Sequence, residues 1–227
     1  MIFKALSVHN RRLPVYVLVD SSGSMKGEPI QAANAGLRSI VTSMRQNPQC
    51  IETVYLSVIQ FDAGVRIVLP LTSVIEARPP EIEVPKSGPT HLGAALELLQ
   101  KSVDREVVKS SDTVRGDYKP LLFIIIDDRA SDEYAFSKIA PIVRTKFGRV
   151  IACAAGPRAD TDQLLEVADD VVQLEQMTSS SFNEFFEFVS EQITTSSTPI
   201  SSKPPPPDKP KPKVILVERQ SPMTWAL

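Results

Sequence analysis

Two cysteines, two histidines and nine glycines are all that the 227 residues contain of those types. Two cysteines cannot build a disulfide scaffold. Cys50 and Cys153 both sit in apolar surroundings, where a free thiol behaves as a small hydrophobe, and this suits a reducing compartment. With only His9 and His91, a histidine base for nucleophilic catalysis has few candidates. Charge of one sign is also lacking. Lys and Arg number 25 against 27 Asp and Glu, the net charge is −2 and the pI is about 5.8. No global field invites nucleic acid. No apolar run approaches the roughly 18–20 residues needed to cross a bilayer. The opening stretch MIFKALSVHNRRLPVYVLVD has no signal-peptide core before a small-residue cleavage site, because RRLP interrupts it. The expectation is a soluble cytoplasmic protein with neither nucleic acid nor membrane as a partner.

What is present is an ordinary core supply, 42% hydrophobic residues, arranged as strand-length runs between helical patterns. The run 15–20 (VYVLVD) is the first predicted strand. TVYLSVIQFD (53–62) and VRIVLPLT (65–72) follow, and the break at Ala63-Gly64 predicts an antiparallel hairpin. PLLFIIID (120–127) and RVIACAAG (149–156) are nearly all apolar, as central parallel strands covered on both faces are. DVVQL (170–174) is a shorter last strand. Residues 29–45 place Ile30, Ala33, Leu37, Ile40, Val41 and Met44 on one helical face. Residues 90–109 do the same with Leu92, Ala95, Leu96, Leu99, Val103 and Val107. Further helices are predicted over 134–147, 161–168 and 182–193, with Thr161 or Asp160 capping the fourth and Ser181 the last. Alternating strands and helices predict a doubly wound, mostly parallel α/β sheet with helices on both faces. Ligands in such sheets bind beyond the carboxyl ends of the strands, where the strand order reverses.

Proline is the one abundant special residue, at 19, and much of it falls late. TTSSTPISSKPPPPDKPKPK has almost no apolar side chains and reads as an extended linker. The division expected is one domain over 11–195, a Pro-rich linker over 196–213 and a tail peptide over 214–227. The tail, with the sole tryptophan Trp225, is either a frayed end or a docking peptide. In the second case residues 214–217 would add a strand to a sheet edge, or Trp225 would anchor in a pocket.

Two predicted strands end in acids: Asp20 closes the first, and Asp127 with Asp128 the fourth. If the strands are neighbours, buried like charges converge on one rim and repel unless a cation intervenes. No Lys or Arg lies in the Asp20 turn, and Arg129 is the nearest candidate beside Asp127. A divalent cation would resolve the conflict. Hard cations take oxygen ligands, and DSSGS offers a carboxylate with alternate hydroxyls: Asp20, Ser22 and Ser24 point one way, Ser21 another. Thr90, in KSGPTHLGAAL, stands before a helix as a further hydroxyl ligand and the candidate cap of that helix.

Asp20-x-Ser22-x-Ser24, then Thr90, then Asp127 resembles the metal-ion-dependent adhesion site of von Willebrand factor A domains. RRLPVYVLVDSSGSMKGEPI, ETVYLSVIQFD, PLTSV, THLGAALELL and YKPLLFIIIDDRASDE are similar to the bacterial TerY-like branch, which is associated with tellurium resistance and stress operons. The resemblance covers roughly residues 11–192. It implies a Rossmann-like fold and a Mg²⁺ site, with Mn²⁺ or Ca²⁺ as alternatives, held by Asp20, Ser22, Ser24, Thr90 and Asp127. A partner protein would fill the open coordination position with a Glu or Asp oxygen. The resemblance further implies a non-enzymatic scaffold linked to a Ser/Thr kinase and a PP2C-type phosphatase. The chain departs from the family at Ile126-Asp127-Asp128, where Thr-Asp-Gly is usual, and Arg129 is the expected compensation. Asp128 and Asp132 are rim candidates, although a solvated loop acid is the plainer reading of Asp132.

Other readings fit less of the pattern. A Gly-x-Ser-x-Gly elbow lacks its second glycine. A phosphate loop would need Gly-Lys-Ser/Thr, whereas Lys26-Gly27 has the reverse order. A dehalogenase-like phosphatase would need Asp-x-Asp where Ser22 stands. A bare helix cap, with Pro29 at the first position and Glu28 at the dipole, leaves Thr90 and Asp127 unexplained. The alternatives carried forward are a metal-dependent phosphohydrolase and a degenerate site without metal.

Overall fold

The structure, a computed structural model, describes residues 11–85, 88–113, 115–197 and 215–218. One seven-stranded sheet runs through it in the order β3-β2-β1-β4-β5-β6-β7. The strands are β1 (Leu13–Asp20), β2 (Val54–Phe61), β3 (Val65–Ser73), β4 (Leu121–Ile126), β5 (Arg149–Ala155), β6 (Asp170–Leu174) and β7 (Ile215–Glu218). β1, β2, β4, β5 and β6 are mutually parallel, while β3 and β7 are antiparallel at the two edges. The apolar runs are central because they must be: every residue of β1 and β4 is buried.

The helices divide between the two faces. On one face α1 (Glu28–Met44), α2 (Pro48–Thr53) and α6 (Ser179–Ser197) enclose a core with Val15, Val17, Phe123 and Cys153. On the other, α3 (Leu92–Glu106), α4 (Glu133–Lys146) and α5 (Thr161–Val167) enclose Tyr16, Leu18, Ile124 and Val150. Successive β1 residues thus feed opposite cores, as the two-residue period of a strand requires. Phe182, Phe185 and Phe186 of α6 are buried, each worth about 1.5–3 kcal/mol relative to exposure. The α1–α6 approach depends on Gly36, where a Cβ would lie 1.9 Å from the Phe186 ring. Both cysteines are free and buried.

Some local assignments differ from the sequence reading. The helix α2 was not anticipated, although Asn47-Pro48 marks it: the Asn47 side chain accepts from Gln49 N at 2.9 Å and Cys50 N at 3.3 Å. Ser181 does not cap α6. That helix starts two residues earlier, and the Thr178 hydroxyl accepts from Ser181 N at 3.4 Å. Asp160, of the two residues offered, is the cap of α5. The helix α6 also continues through Ser197, past the expected domain end at 195. Four residues of the tail form β7 on the β6 edge, in the register Val171↔Val217. The linker and Trp225 lie outside the described residues. Among the described residues no helix is long and apolar enough to cross a membrane.

The strand order reverses between β1 and β4, because β2 lies on one side of β1 and β4 on the other. Asp20 pairs with Phe61 and Val19 with Ile125. The chain therefore leaves the sheet at Asp20, Asp62 and Asp127 along one carboxyl rim.

Candidate metal centre

After β1 the chain makes a single 3-10 turn over Gly23–Met25 and enters α1 through Gly27, whose φ of 94° is the left-handed conformation that glycine tolerates. The turn folds the loop back over the strand end. Asp20 Oδ1 accepts from Ser22 N at 2.7 Å. The Ser24 hydroxyl donates to Asp127 Oδ1 at 2.8 Å. Ser22 Oγ lies 3.0 Å from Ser24 Oγ and 3.4 Å from the same Asp127 oxygen. Four of the five candidate ligands are thus joined in one network at the reversal point. Ser21 points away, as its position predicts, with its hydroxyl 2.9 Å from Asp62 Oδ2.

Thr90 comes to the same rim by a different route. It is buried, and its flanks are tied to the loops after β2 and β4. His91 N donates to Asp62 O at 3.1 Å, Ser131 N donates to Thr90 O at 2.8 Å, and Thr90 N donates to Ser131 Oγ at 3.1 Å. The expectation that Thr90 caps α3 is corrected. His91 occupies the N-cap position without a side-chain cap bond. The free helix N–H groups are met instead by Asp132, whose carboxylate accepts from Gly93 N at 3.0 Å and Ala94 N at 2.8 Å. Asp132 is therefore not a solvated loop acid: it supports the rim from behind, by holding the start of the helix that Thr90 precedes. Its role is invisible in sequence because it caps a helix about 40 residues upstream. His91 turns its ring Nδ1 toward Ala63 O at 3.1 Å.

The electrostatics are unbalanced at Asp20. Its Oδ2 is buried with no hydrogen-bond partner, one of three such side-chain atoms among the described residues. Burial pushes the Asp20 carboxyl up to about 7, and the Asp127 charge adds to the rise. Asp127 is raised as well, by burial first, while the Ser24 hydroxyl and Arg158 hold it down. Arg129 is not the compensating cation that its position suggests. It pairs with Glu133 at 3.1 Å and Asp160 at 3.6 Å. Arg158, in the loop after β5, reaches Asp127 Oδ2 at 3.4 Å and Asp128 Oδ2 at 3.9 Å. Nothing local to Asp127 in sequence marks Arg158. Its place follows from β5 lying beside β4.

A buried carboxylate oxygen without a partner, beside a second carboxylate and clustered hydroxyls, fits a hard divalent cation. Among the described residues no three His, Cys, Asp or Glu side chains form a metal cluster. The donor set here is two carboxylates with hydroxyls, the composition suited to oxygen-liganded ions and poorly suited to a histidine or thiolate zinc site.

A family model described as the von Willebrand factor type A domain matches residues 15–129, a span holding all five candidate ligands. No curated protein matches the sequence. Among solved structures, proximal thread matrix protein 1 from the mussel byssus superposes with a TM-score of 0.64 at 15% identity, over 81% of this chain and 46% of that one. A von Willebrand factor type A protein from Catenulispora acidiphila gives 0.61 at 14%, over 82% and 43%. BatB from Bacteroides thetaiotaomicron gives 0.56 at 16%, over 82% and 98%. The mussel protein is also known with a zinc-occupied metal-ion-dependent adhesion motif. At such identities these likenesses establish the fold. This chain spans about half the length of the mussel and Catenulispora chains.

Proposed function

Because this chain belongs to the von Willebrand factor type A domain family, we propose that its carboxyl rim binds a divalent cation and uses it to grip an acidic side chain of a protein partner. The observation that carries this reading is the partnerless buried Asp20 Oδ2 beside the Ser22–Ser24–Asp127 network. Asp20, Ser22, Ser24, Thr90 and Asp127 are the proposed ligands. Mg²⁺ is the first candidate, with Mn²⁺ and Ca²⁺ next, and the zinc held by the mussel relative supports a divalent ion of some kind. When bound, the ion supplies a positive centre with an open position for a carboxylate oxygen.

The chain's own residues do the rest. Asp20, anchored by Ser22 N, aims one oxygen at the site. Ser24 and Ser22 orient Asp127. The Ser131 and Asp62 backbone contacts fix the chain around Thr90 at the same carboxyl rim. Two carboxylates and neutral hydroxyls balance the charge of a divalent ion without filling its oxygen shell, so it can still take a partner's carboxylate oxygen, with Asp128 as a further acid on the rim. The chain is proposed to act without catalysis, as an adaptor. Its motifs favour the TerY-like branch, and with it a stress or tellurite-resistance setting alongside a protein kinase and a PP2C-type phosphatase.

The test is a capture experiment from native cells with Mg²⁺ or with chelator, paired with calorimetry on wild type and Asp20→Ala. Metal-dependent capture that Asp20→Ala abolishes supports the adaptor. Steady turnover of a phosphate ester by wild type, lost in Asp20→Ala, would replace it with a phosphohydrolase. Absence of any metal heat or thermal shift would assign a degenerate site.

A further inference from the structure

Asp127 has a cation within reach, but not a closely bonded one. Charge-assisted hydrogen bonds in proteins run about 2.7–2.9 Å. Arg12 makes such a pair with Asp117, at 2.7 and 3.0 Å to its two oxygens. Arg158 instead stands 3.4 Å from Asp127 and 3.9 Å from Asp128, bridging both loosely. Its side chain is 59% exposed, that of Asp127 0% and that of Asp128 41%. The two Asp127 oxygens are also divided in their duties. Oδ1 faces the Ser22 and Ser24 hydroxyls, and Oδ2 faces Arg158. Arg129, the other nearby guanidinium, is committed to Glu133 and Asp160.

We infer that Arg158 is a displaceable resident counter-ion: it neutralises Asp127 in the metal-free protein and swings to Asp128 when a divalent cation takes Asp127. The inference rests on the metal reading above and adds a residue outside the proposed ligand set. It gives Asp128 a role. An extra acid at this rim is a burden if it only adds negative charge, yet it serves as a perch that keeps the guanidinium from opposing the incoming ion. Arg158 is exposed enough to move without disturbing the core, and Asp127 is too buried to follow it. The expected consequences are an empty site more stable than one without Arg158, and a metal affinity held below what the ligands alone would give.

The experiment is Mg²⁺ and Mn²⁺ calorimetry on the full chain, comparing wild type, Arg158→Gln, Asp128→Asn, the double variant and Asp20→Ala. Chelated melting curves are recorded on the same proteins and on Asp127→Asn with and without Arg158→Gln. Arg158→Gln is expected to tighten binding by about tenfold, as removal of a unit charge 3.4 Å from the Asp127 ligand oxygen predicts for a solvent-screened pair. Asp128→Asn should weaken binding by about fivefold more with Arg158 present than with Gln there. In chelator, Arg158→Gln should lower the melting temperature, and Asp127→Asn should remove that difference. An unchanged affinity in Arg158→Gln, with wild type binding metal and Asp20→Ala not, overturns the counter-ion and leaves the metal site standing. So does an additive cycle, or a melting difference that persists in Asp127→Asn. If neither wild type nor Arg158→Gln binds either ion, both readings fall.

Discussion

Asp20 and Asp62 stand at the ends of neighbouring parallel strands, both buried on the same rim, yet they are opposite cases. Asp62 is fully served. Its Oδ2 faces the Ser21 hydroxyl at 2.9 Å and Arg66 Nη2 at 3.1 Å, and its Oδ1 accepts from Gly64 N at 2.8 Å. Asp20 has one backbone N–H at hydrogen-bond distance on Oδ1, no hydrogen-bond partner on Oδ2 and no basic side chain in its turn, and the Ser22 hydroxyl and the Asp127 backbone only partly offset its burial. Burial and position at a strand end are therefore not what separates a ligand from a structural acid. Unspent bonding capacity is. A satisfied carboxylate stabilises a turn, while an unsatisfied buried one either holds its proton or is positioned for a ligand.

The widest separation of the two acids is expected in metal binding. Asp20→Ala should weaken Mn²⁺ binding by more than about 100-fold, beyond the 10–100-fold usual for residues that merely support a ligand. Asp62→Ala should leave it within a few-fold, and calorimetry measures both. The order reverses for stability. Asp62→Ala removes the side-chain acceptor of Gly64 N and one of the partners of Ser21 and Arg66, and should cost about 2 kcal/mol in urea unfolding of chelated protein. Asp20→Asn, which removes an unpaired buried charge, should cost nothing or stabilise.

The pH dependence sharpens the contrast further. Burial raises the Asp20 carboxyl from 3.8 to about 7, so the folded state binds its proton more tightly than the unfolded chain does. The associated stability is fully present below about pH 4 and is lost as pH rises to about 7. Metal-free protein should therefore lose at least about 1.4 kcal/mol across that window relative to Asp20→Asn, the equivalent of one pKa unit. Melting curves from pH 4 to 8 in chelator read it, and saturating Mg²⁺ should cancel it. The smallest effect is expected at Asp132. Asp132→Ala removes the α3 cap and should cost about 1 kcal/mol in melting experiments, with a metal affinity that falls only as Thr90 loosens.

The two acids also mark how far the sequence could be read. The strand β1, the DSSGS turn and the hydroxyl pattern were legible because each rests on residues adjacent in the chain. So were the β2–β3 hairpin and the outward turn of Ser21. Asp132 and Arg158 were not. Asp132 bonds across about 40 positions to Gly93 and Ala94, and Arg158 reaches Asp127 across 31. Arg129, two residues from Asp127, was the natural guess for the cation, and a neighbouring acid, Glu133, holds it elsewhere. Short helices such as α2 escape a periodicity argument because six residues make fewer than two turns.

By itself, the sequence determined most of the element types, the two-faced apolar patterning and the hydroxyl-rich DSSGS turn after Asp20, because periodicity and turn chemistry act over a few residues, while Thr90 and Asp127 were joined to that turn by the family resemblance. Tertiary structure alone decided that β1 and β4 are neighbours across the reversal point. It also decided that Asp62 is satisfied while Asp20 is not, and that the cation near Asp127 is Arg158. Those outcomes depend on which loops dock against which. A carboxylate's partners are counted in space, and the chain brings them from three or four separate strand ends.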